Sequence, residues 1–397
     1  MQRVLFTWEL GANFGHLSRL IPLAQEQRAL GREVLFAVNN LQVSKHLLDS
    51  IGFVCVLAPK VIYKSHRRLA ANHTELLLNC GYSNQEGLQQ AVGEWLTLFE
   101  RYQPSLLVID HSPTVLLANK ISKIPVVQVG SGFEIPPSDG WPNYSSIFES
   151  HKNEVLQLQL NQIPITLLNN MNCAIKQYGG DEMQSSCELY NACEQILLTF
   201  KELDHYPSRK QAEYVGPISA TCVGQQVYWS QDTRKKIYVY AWPALPGLNQ
   251  MFVALSQIDA EVIAVIPSLA ENVRQTLKAP NIRIYTSTIS LGNIIEHTDL
   301  LITHGFGTLS VFLQHGVPIL MIPHTIEQFL LGIRVNDHAI GLAMAFRLST
   351  INFKTNIEKL LNEFGYRQAA LTIAKRYKDY KAEDALKKIN ETIEMLL

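Results

Sequence analysis

Two groups of residues in this chain are of types that do chemistry. The first is a histidine and an aspartate. His16 follows the loop Glu9-Leu10-Gly11-Ala12-Asn13-Phe14-Gly15 and opens an amphipathic segment, and Asp110 ends the apolar run 106–109. An imidazole so placed can take a proton from a hydroxyl, and a carboxylate beside it can fix its tautomer and stabilise the imidazolium that forms. Each residue also has a plainer use. His16 can cap or pack locally, and Asp110 can cap the helix that follows at Pro113. Asn13, Gly15 and Arg19 share the loop and first turn with His16 and join it as candidates. Gly11 and Gly15 stand four apart, so this is not the GxGxxG fingerprint of a dinucleotide site.

The second group suits an anion. Leu300-Leu301-Ile302-Thr303 runs into His304-Gly305-Phe306-Gly307-Thr308, an apolar run followed by a small-residue turn and a helical pattern. Gly305 and Gly307 let backbone N–H groups approach an anion, the helix N-terminus favours negative charge, and His304 and Thr308 add side-chain donors. A diphosphate is the natural guest, and tight strand–helix packing without a ligand is the alternative. Further on, Glu327 and Gln328 place an acid beside an amide, which together accept from and donate to vicinal hydroxyls. Acids in a first helical turn are common for another reason, the helix dipole. Trp242 either stacks on a base or buries against the linker. No DxD metal-binding pair occurs in the sequence.

These side chains converge only if strands deliver them to one edge of a sheet. Short apolar runs at 4–7, 33–38, 54–57, 106–109, 126–129 and 196–199 read as strands, with helical patterns between them. The helical patterns include 16–30 and the segment carrying Leu88, Val92, Trp95, Leu96 and Phe99. The alternation restarts at 237–241, 261–266, 282–285, 300–303 and 319–322. It predicts an α/β protein of two doubly wound, Rossmann-like parallel-sheet domains facing a cleft, with ligands outside the carboxyl ends of the strands. The expected divisions are 1–215, 216–375 and a C-terminal helix over 376–397 that would cross back to the first domain. The Pro- and Gly-bearing segment 205–224 is the expected linker.

Composition bounds the function. With 34 Lys and Arg against 35 Asp and Glu among 397 residues, net charge is −1, which argues against nucleic acid as a partner. Six cysteines without CxxC spacing read as reduced and scattered. The first residues do not read as a signal peptide, and no apolar stretch approaches the roughly 20 residues of a spanning helix, so a cytoplasmic protein is expected. A basic run, Lys60, Lys64, His66, Arg67 and Arg68, leaves open a peripheral membrane contact or an anionic acceptor, with a solvated loop as the simpler explanation. Phe133, Trp141, Tyr144 and Phe148 either line an apolar pocket or pack their own loop.

Taken together these residues resemble the GT-B glycosyltransferases, of the UDP-glycosyltransferase and macrolide-glycosyltransferase type, with MurG-type enzymes more distant. Gly15-His16-Leu17 resembles the acceptor-side loop, residues 105–110 the strand delivering the partner aspartate, and 303–308 with His315-Gly316-Val317-Pro318, Pro323 and Glu327-Gln328 the donor-binding signature. The resemblance implies that His16 deprotonates an acceptor hydroxyl and that Asp110 orients it. It implies that His304, Gly305, Gly307 and Thr308 hold the donor diphosphate, and that Glu327 and Gln328 touch the donor sugar. Val311 stands where the family commonly carries a ribose-binding acid.

The expected function is an inverting, metal-independent transfer of a sugar from a nucleotide-diphosphate donor, UDP- or dTDP-linked, to a hydroxyl of a small-molecule or lipid-linked acceptor. No cofactor beyond that co-substrate is expected. A non-catalytic sugar-nucleotide-binding protein on the same scaffold is the alternative.

Overall fold

The strands expected from the apolar runs form two separate parallel sheets. The computed structural model describes residues 2–11, 15–62, 70–138, 140–141, 144, 154–191, 194–218, 224–344 and 352–397. Two compact units result. The first comprises Met1–Thr199, Tyr206–Ile218 and Ala382–Leu397, and the second Phe200–His205 and Ser219–Lys381.

In the first unit, β1 (Arg3–Trp8), α1 (Gly15–Ala29), β2 (Glu33–Val38), α2 (Leu41–Ser50) and β3 (Val54–Leu57) alternate. Then come α3 (His73–Leu77), α4 (Gln85–Tyr102), β4 (Leu106–Asp110), α5 (Pro113–Ser122), β5 (Val126–Gly130), α6 (Glu154–Lys176), β6 (Glu194–Leu197) and β7 (Glu213–Tyr214). The sheet order is β3-β2-β1-β4-β5-β6-β7, all parallel. β4 and β5 are buried at every residue, as strands covered on both faces require. α4 begins where Asn84 accepts from the N–H of Gly87 at 3.1 Å and ends at Gln103 in the left-handed region. Its apolar face, Leu88, Val92, Trp95 and Phe99, packs into the core with Leu107 and Ile109 of β4.

The second unit repeats the plan. It holds β8 (Lys235–Tyr240), α7 (Leu248–Ser256), β9 (Ala260–Val265), α8 (Glu271–Thr276) and β10 (Ile282–Tyr285). They are followed by β11 (Leu300–Thr303), α9 (Phe306–Gln314), β12 (Ile319–Met321), α10 (Ile326–Asp337), β13 (Gly341–Ala343), α11 (Phe353–Asn362) and α12 (Phe364–Arg376). The order is β10-β9-β8-β11-β12-β13, again parallel. Alternate residues of β8 enter different clusters: Ile237 and Val239 join the core on one face and Tyr238 the core on the other.

The chain crosses between units at places other than the expected divisions at 215/216 and 375/376. Phe200–His205 packs with the second unit because Phe200 stacks on Tyr377 at 4.0 Å and Glu202 accepts from Arg376 and Tyr377, each at 2.6 Å. The segment after it is not a plain linker: it returns to the first sheet as β7. The last helix, α13 (Ala382–Leu396), packs in the first unit through Asn390 with Gln27, Glu394 with Arg32 and Lys388 with Glu213. β7 and β13 were not read from sequence, being two and three residues long. Among the described residues no helix is long and apolar enough to cross a membrane.

Candidate functional site

Each sheet reverses its strand order beside its first strand, between β1 and β4 in one unit and between β8 and β11 in the other. Such a switch point opens a crevice at the carboxyl ends of the strands. The candidate residues fall at these two places.

In the first unit, Asp110 is the last residue of β4, the neighbour of β1, and His16 stands in the first turn of α1, the helix after β1. Their side chains meet, with His16 Nδ1 3.0 Å from Asp110 Oδ1. The ring of His16 stacks on Trp8 at 5.3 Å. Gly11 has φ +90° and faces the other ring nitrogen: a Cβ there would stand 2.4 Å from Nε2. Only glycine fits so close to the ring, and it also supplies the left-handed backbone. Of the expected companions, Gly15 begins α1, Arg19 turns inward toward the aspartate, and Asn13 lies outside the described residues.

Arg19, expected in the acceptor-side loop and first turn, lies in α1 with its side chain turned inward. It is 9% exposed and lies between two buried carboxylates, its Nε 3.1 Å from Asp110 Oδ2 and its Nη2 2.9 Å from Glu134 Oε1. Glu134 follows β5, the next carboxyl edge, and was missed in the sequence. The signal available was its position after Gly130-Ser131-Gly132 at the end of an apolar run. Its Oε2 accepts from the N–H and hydroxyl of Ser131, each at 2.9 Å. Burial works against its charge, but Arg19, then His16 and His111, hold the carboxyl well below the usual carboxylate range.

His111 was also missed. It has a left-handed φ of 49° directly after Asp110, and its ring lies 5.9 Å from that of His16. Burial pushes its pKa down to about 4, with Glu134 opposing. His16, Asp110 and Glu134 bring ligand-type atoms within 4.8 Å of one another, a donor set that suits a divalent cation. The guanidinium of Arg19 already stands among them and supplies the cation.

Around this group the loops are tied down. Glu9 accepts from the backbone N–H of Thr114 at 2.9 Å and from its hydroxyl, which caps α5, and burial pushes the Glu9 carboxyl up to about 8. Lys60 donates to the carbonyl of Asn39 at 2.9 Å, and Asn39 donates to that of Gly11 at 2.8 Å. Lys60 is thus a loop support, and Lys64, His66, Arg67 and Arg68 lie outside the described residues. Phe133 and Tyr144 are buried against each other and against Tyr206, and Tyr144 also bonds His73 at 3.2 Å, whereas Phe148 lies outside the described residues.

The second unit's switch point is chemically different. His304 follows β11, and Gly305 is the N-cap of α9, its N–H donating to Thr303 Oγ1 at 3.2 Å. A Cβ added at Gly305 or Gly307 would meet nothing within 4 Å, so the room beside this helix N-terminus is open. Thr308 is half-buried in the first turn of α9. The His304 ring stacks on Tyr240 at 5.7 Å and lies 5.2 Å from His324, which in turn stacks on Trp242 at 5.2 Å. Burial, reinforced by the neighbouring His324, lowers His304 to about 4, and burial lowers His324 as well. The Nδ1 atoms of both are buried, and backbone hydrogen bonding, at Tyr240 for His304 and at Ile322 for His324, partly opposes the effect of burial.

His324 was missed, although it sits one residue past Pro323 at the carboxyl edge of β12. Gln328 accepts from its N–H at 3.0 Å and donates its own backbone N–H to Thr325 Oγ1 at 3.3 Å. The amide oxygen of Gln328 is thereby committed to the loop, and its amide nitrogen remains as a donor. Glu327 stands half-buried in the first turn of α10. Trp242 follows β8 and is 46% exposed, so it does not bury against a linker. Val311 is 6% exposed and points into the core with Phe312 and Leu309.

Comparison with known proteins fits this geometry. Residues 249–390 match the family model described as Erythromycin biosynthesis protein CIII-like, C-terminal domain. No curated protein sequence matches the chain. Among solved structures, the glycosyltransferase VinC in complex with dTDP has a TM-score of 0.68 at 16% identity, covering 100% of this chain and 99% of its own. The spinosyn rhamnosyltransferase SpnG complexed with spinosyn aglycone has a TM-score of 0.70 at 17% identity, covering 98% and 100%. The calicheamicin glycosyltransferase CalG4 has 0.70 at 17%, covering 100% and 98%. The fold is that of the GT-B glycosyltransferases, two Rossmann-like parallel-sheet units in one chain.

Proposed function

We propose that the chain is an inverting, metal-independent glycosyltransferase that moves a sugar from a uridine or thymidine diphosphate donor to an acceptor hydroxyl. The observation that carries this reading is the 3.0 Å contact of His16 Nδ1 with Asp110 at the first switch point, with Nε2 facing the side-chain-free Gly11. In the reaction His16 Nε2 takes the hydroxyl proton as the acceptor oxygen bonds to the anomeric carbon. The bond from that carbon to the donor phosphate breaks, and its electron pair leaves with the diphosphate. Attack opposite the leaving group inverts the anomeric centre. Asp110 stabilises the imidazolium through Nδ1.

The open N-terminus of α9, with Thr308 and the imidazoles of His304 and His324, suits the diphosphate and its developing charge. Glu327 and the Gln328 amide nitrogen suit the sugar hydroxyls, and Trp242 suits the base. The acceptor is proposed to be a small molecule or a lipid-linked hydroxyl compound, and the protein to act in the cytoplasm.

The test is calorimetry with UDP, dTDP and their sugars, followed by donor hydrolysis and transfer assays on wild type and His16→Ala. Donor binding with turnover in the wild type alone is the expected result. Transfer that survives His16→Ala would remove His16 from the role of base. Binding without any turnover would support a non-catalytic sugar-nucleotide-binding protein, a reading that the apolar Val311 at the ribose position favours.

A further inference from the structure

Arg19 takes no part in the proton transfer, yet it reaches every polar partner of His16. Its Nη2 lies 2.9 Å from Glu134 Oε1, 3.0 Å from His16 Nδ1 and 3.4 Å from Asp110 Oδ1. A guanidinium can only donate. His16 Nδ1 therefore has two exclusive arrangements. With a hydrogen on Nδ1, Asp110 accepts it and Nε2 carries the open lone pair. With Nδ1 bare, Arg19 donates to it and the hydrogen moves to Nε2, where it blocks proton uptake. The second arrangement would leave an imidazole of the right shape in the wrong tautomer.

The position of the guanidinium decides between them. Glu134 Oε1 takes one Nη2 hydrogen, and Glu134 is itself pinned through Oε2 by both donors of Ser131. Asp110 Oδ2 faces Arg19 Nε at 3.1 Å. The two carboxylates compete with Nδ1 for the guanidinium hydrogens, and a guanidinium held on them frees Nδ1 to donate to Asp110. The cluster is costly to desolvate, with Asp110 0%, Glu134 2% and Arg19 9% exposed. Packing alone at this place would be met by apolar side chains without that desolvation.

We propose that Glu134, acting through Arg19, is a positioning residue that sets the tautomer of His16. Arg19 serves as the fixed cation that a metal ion would supply between two such carboxylates. The consequence for catalysis rests on the glycosyltransferase reading, whereas the tautomer itself does not.

The experiment uses the full chain with ¹⁵N-labelled histidine, the His16 signals being identified by their loss in His16→Gln. Glu134→Gln preserves shape but removes the charge that holds the guanidinium. Arg19→Lys keeps a cation but loses the fork. The wild type is expected to show the Nδ1–H form, and both variants a raised share of the Nε2–H form. In transfer assays kcat is expected to fall about 10²-fold with donor KM unchanged, and the pH profile of kcat to change shape. Variants that keep the Nδ1–H signature together with wild-type kcat and pH profile would overturn the proposal. If Arg19→Lys does not fold, as read by circular dichroism, Glu134→Gln decides alone. A wild-type chain that transfers no sugar would defeat the functional reading, and the nitrogen spectra would still decide the tautomer.

Discussion

The two units share a strand order and the place of their switch points, yet the chemistry collected there is opposite. At the first, four ionisable side chains interlock within hydrogen-bonding distance, His16, Asp110, Arg19 and Glu134, and Gly11 packs against the other ring nitrogen of His16. At the second, two neutral imidazoles, a tyrosine and a tryptophan stack beside a helix N-terminus where glycines leave room. Tight charge pairing holds one group in one orientation and leaves little space for a guest. Open backbone donors with uncharged rings keep space and supply their attraction only when an anion arrives. One fold thus carries a group of charges that satisfy one another and, in the proposed reading, an open helix N-terminus that receives a charge from outside.

The largest expected effect separates the two. His16→Ala should lower transfer by about 10²- to 10⁴-fold while dTDP or UDP affinity, measured by calorimetry, stays at the wild-type value. Parallel loss of affinity would show that the division of labour is false.

Next in size is an opposite response to pH. Glu9 in the first unit has a folded pKa of about 8 against an ordinary 4.5. A raised folded value means stability that is complete below pH 4.5 and declines as pH rises toward 8, with a slope of about 1.4 kcal/mol per pH unit for one proton. His304 in the second unit is lowered from 6.5 to about 4, so its contribution is complete above pH 6.5 and is lost as pH falls toward 4. Urea unfolding across pH should show Glu9→Gln flattening the alkaline limb and His304→Gln the acid limb. His111, lowered to about 4 in the first unit, keeps part of the acid limb in the latter variant.

Glycine substitutions give a smaller and sharper contrast. Gly307→Val has open space to enter, so its midpoint of thermal unfolding should scarcely move, whereas diphosphate affinity should fall about tenfold, or about 1.4 kcal/mol. Gly11→Ala must adopt φ +90° with its Cβ 2.4 Å from His16 Nε2. It should destabilise the fold by about 1–2 kcal/mol and also depress transfer. Equal behaviour of the two variants would contradict the contrast between a filled and an open site. Smallest of all, Trp242→Ala should remove one exposed stacking partner, costing about 0.5–1.5 kcal/mol in nucleotide affinity by titration.

Most strands were legible as short apolar runs: 33–38, 54–57, 282–285 and 300–303 are strands with the bounds read from sequence, although two-face burial accounts only for runs such as 300–303, and the edge strand 54–57 is exposed at both ends. The short edge strands β7 and β13 carry too few residues for any pattern. Asp110 and His304 were legible as polar residues at the ends of such runs, and His16 as the residue that opens the helix after a Gly-bracketed loop. Glu134, His111 and His324 occupy equivalent places and were passed over because a lone acid or histidine in a loop has many ordinary uses. Arg19 was found for its position in the loop, but its partners lie 91 and 115 residues away in sequence.

The order of apolar and polar residues determined the sheets, their parallel sense and the glycines at the turns, because burial on both faces and backbone freedom are properties of short stretches. Which side of a carboxylate meets a guanidinium, and which ring nitrogen meets the carboxylate, was decided only when β1, β4 and β5 came side by side. Hydrogen-bond direction depends on ångström-scale distances between segments far apart in the chain, and no local pattern encodes them.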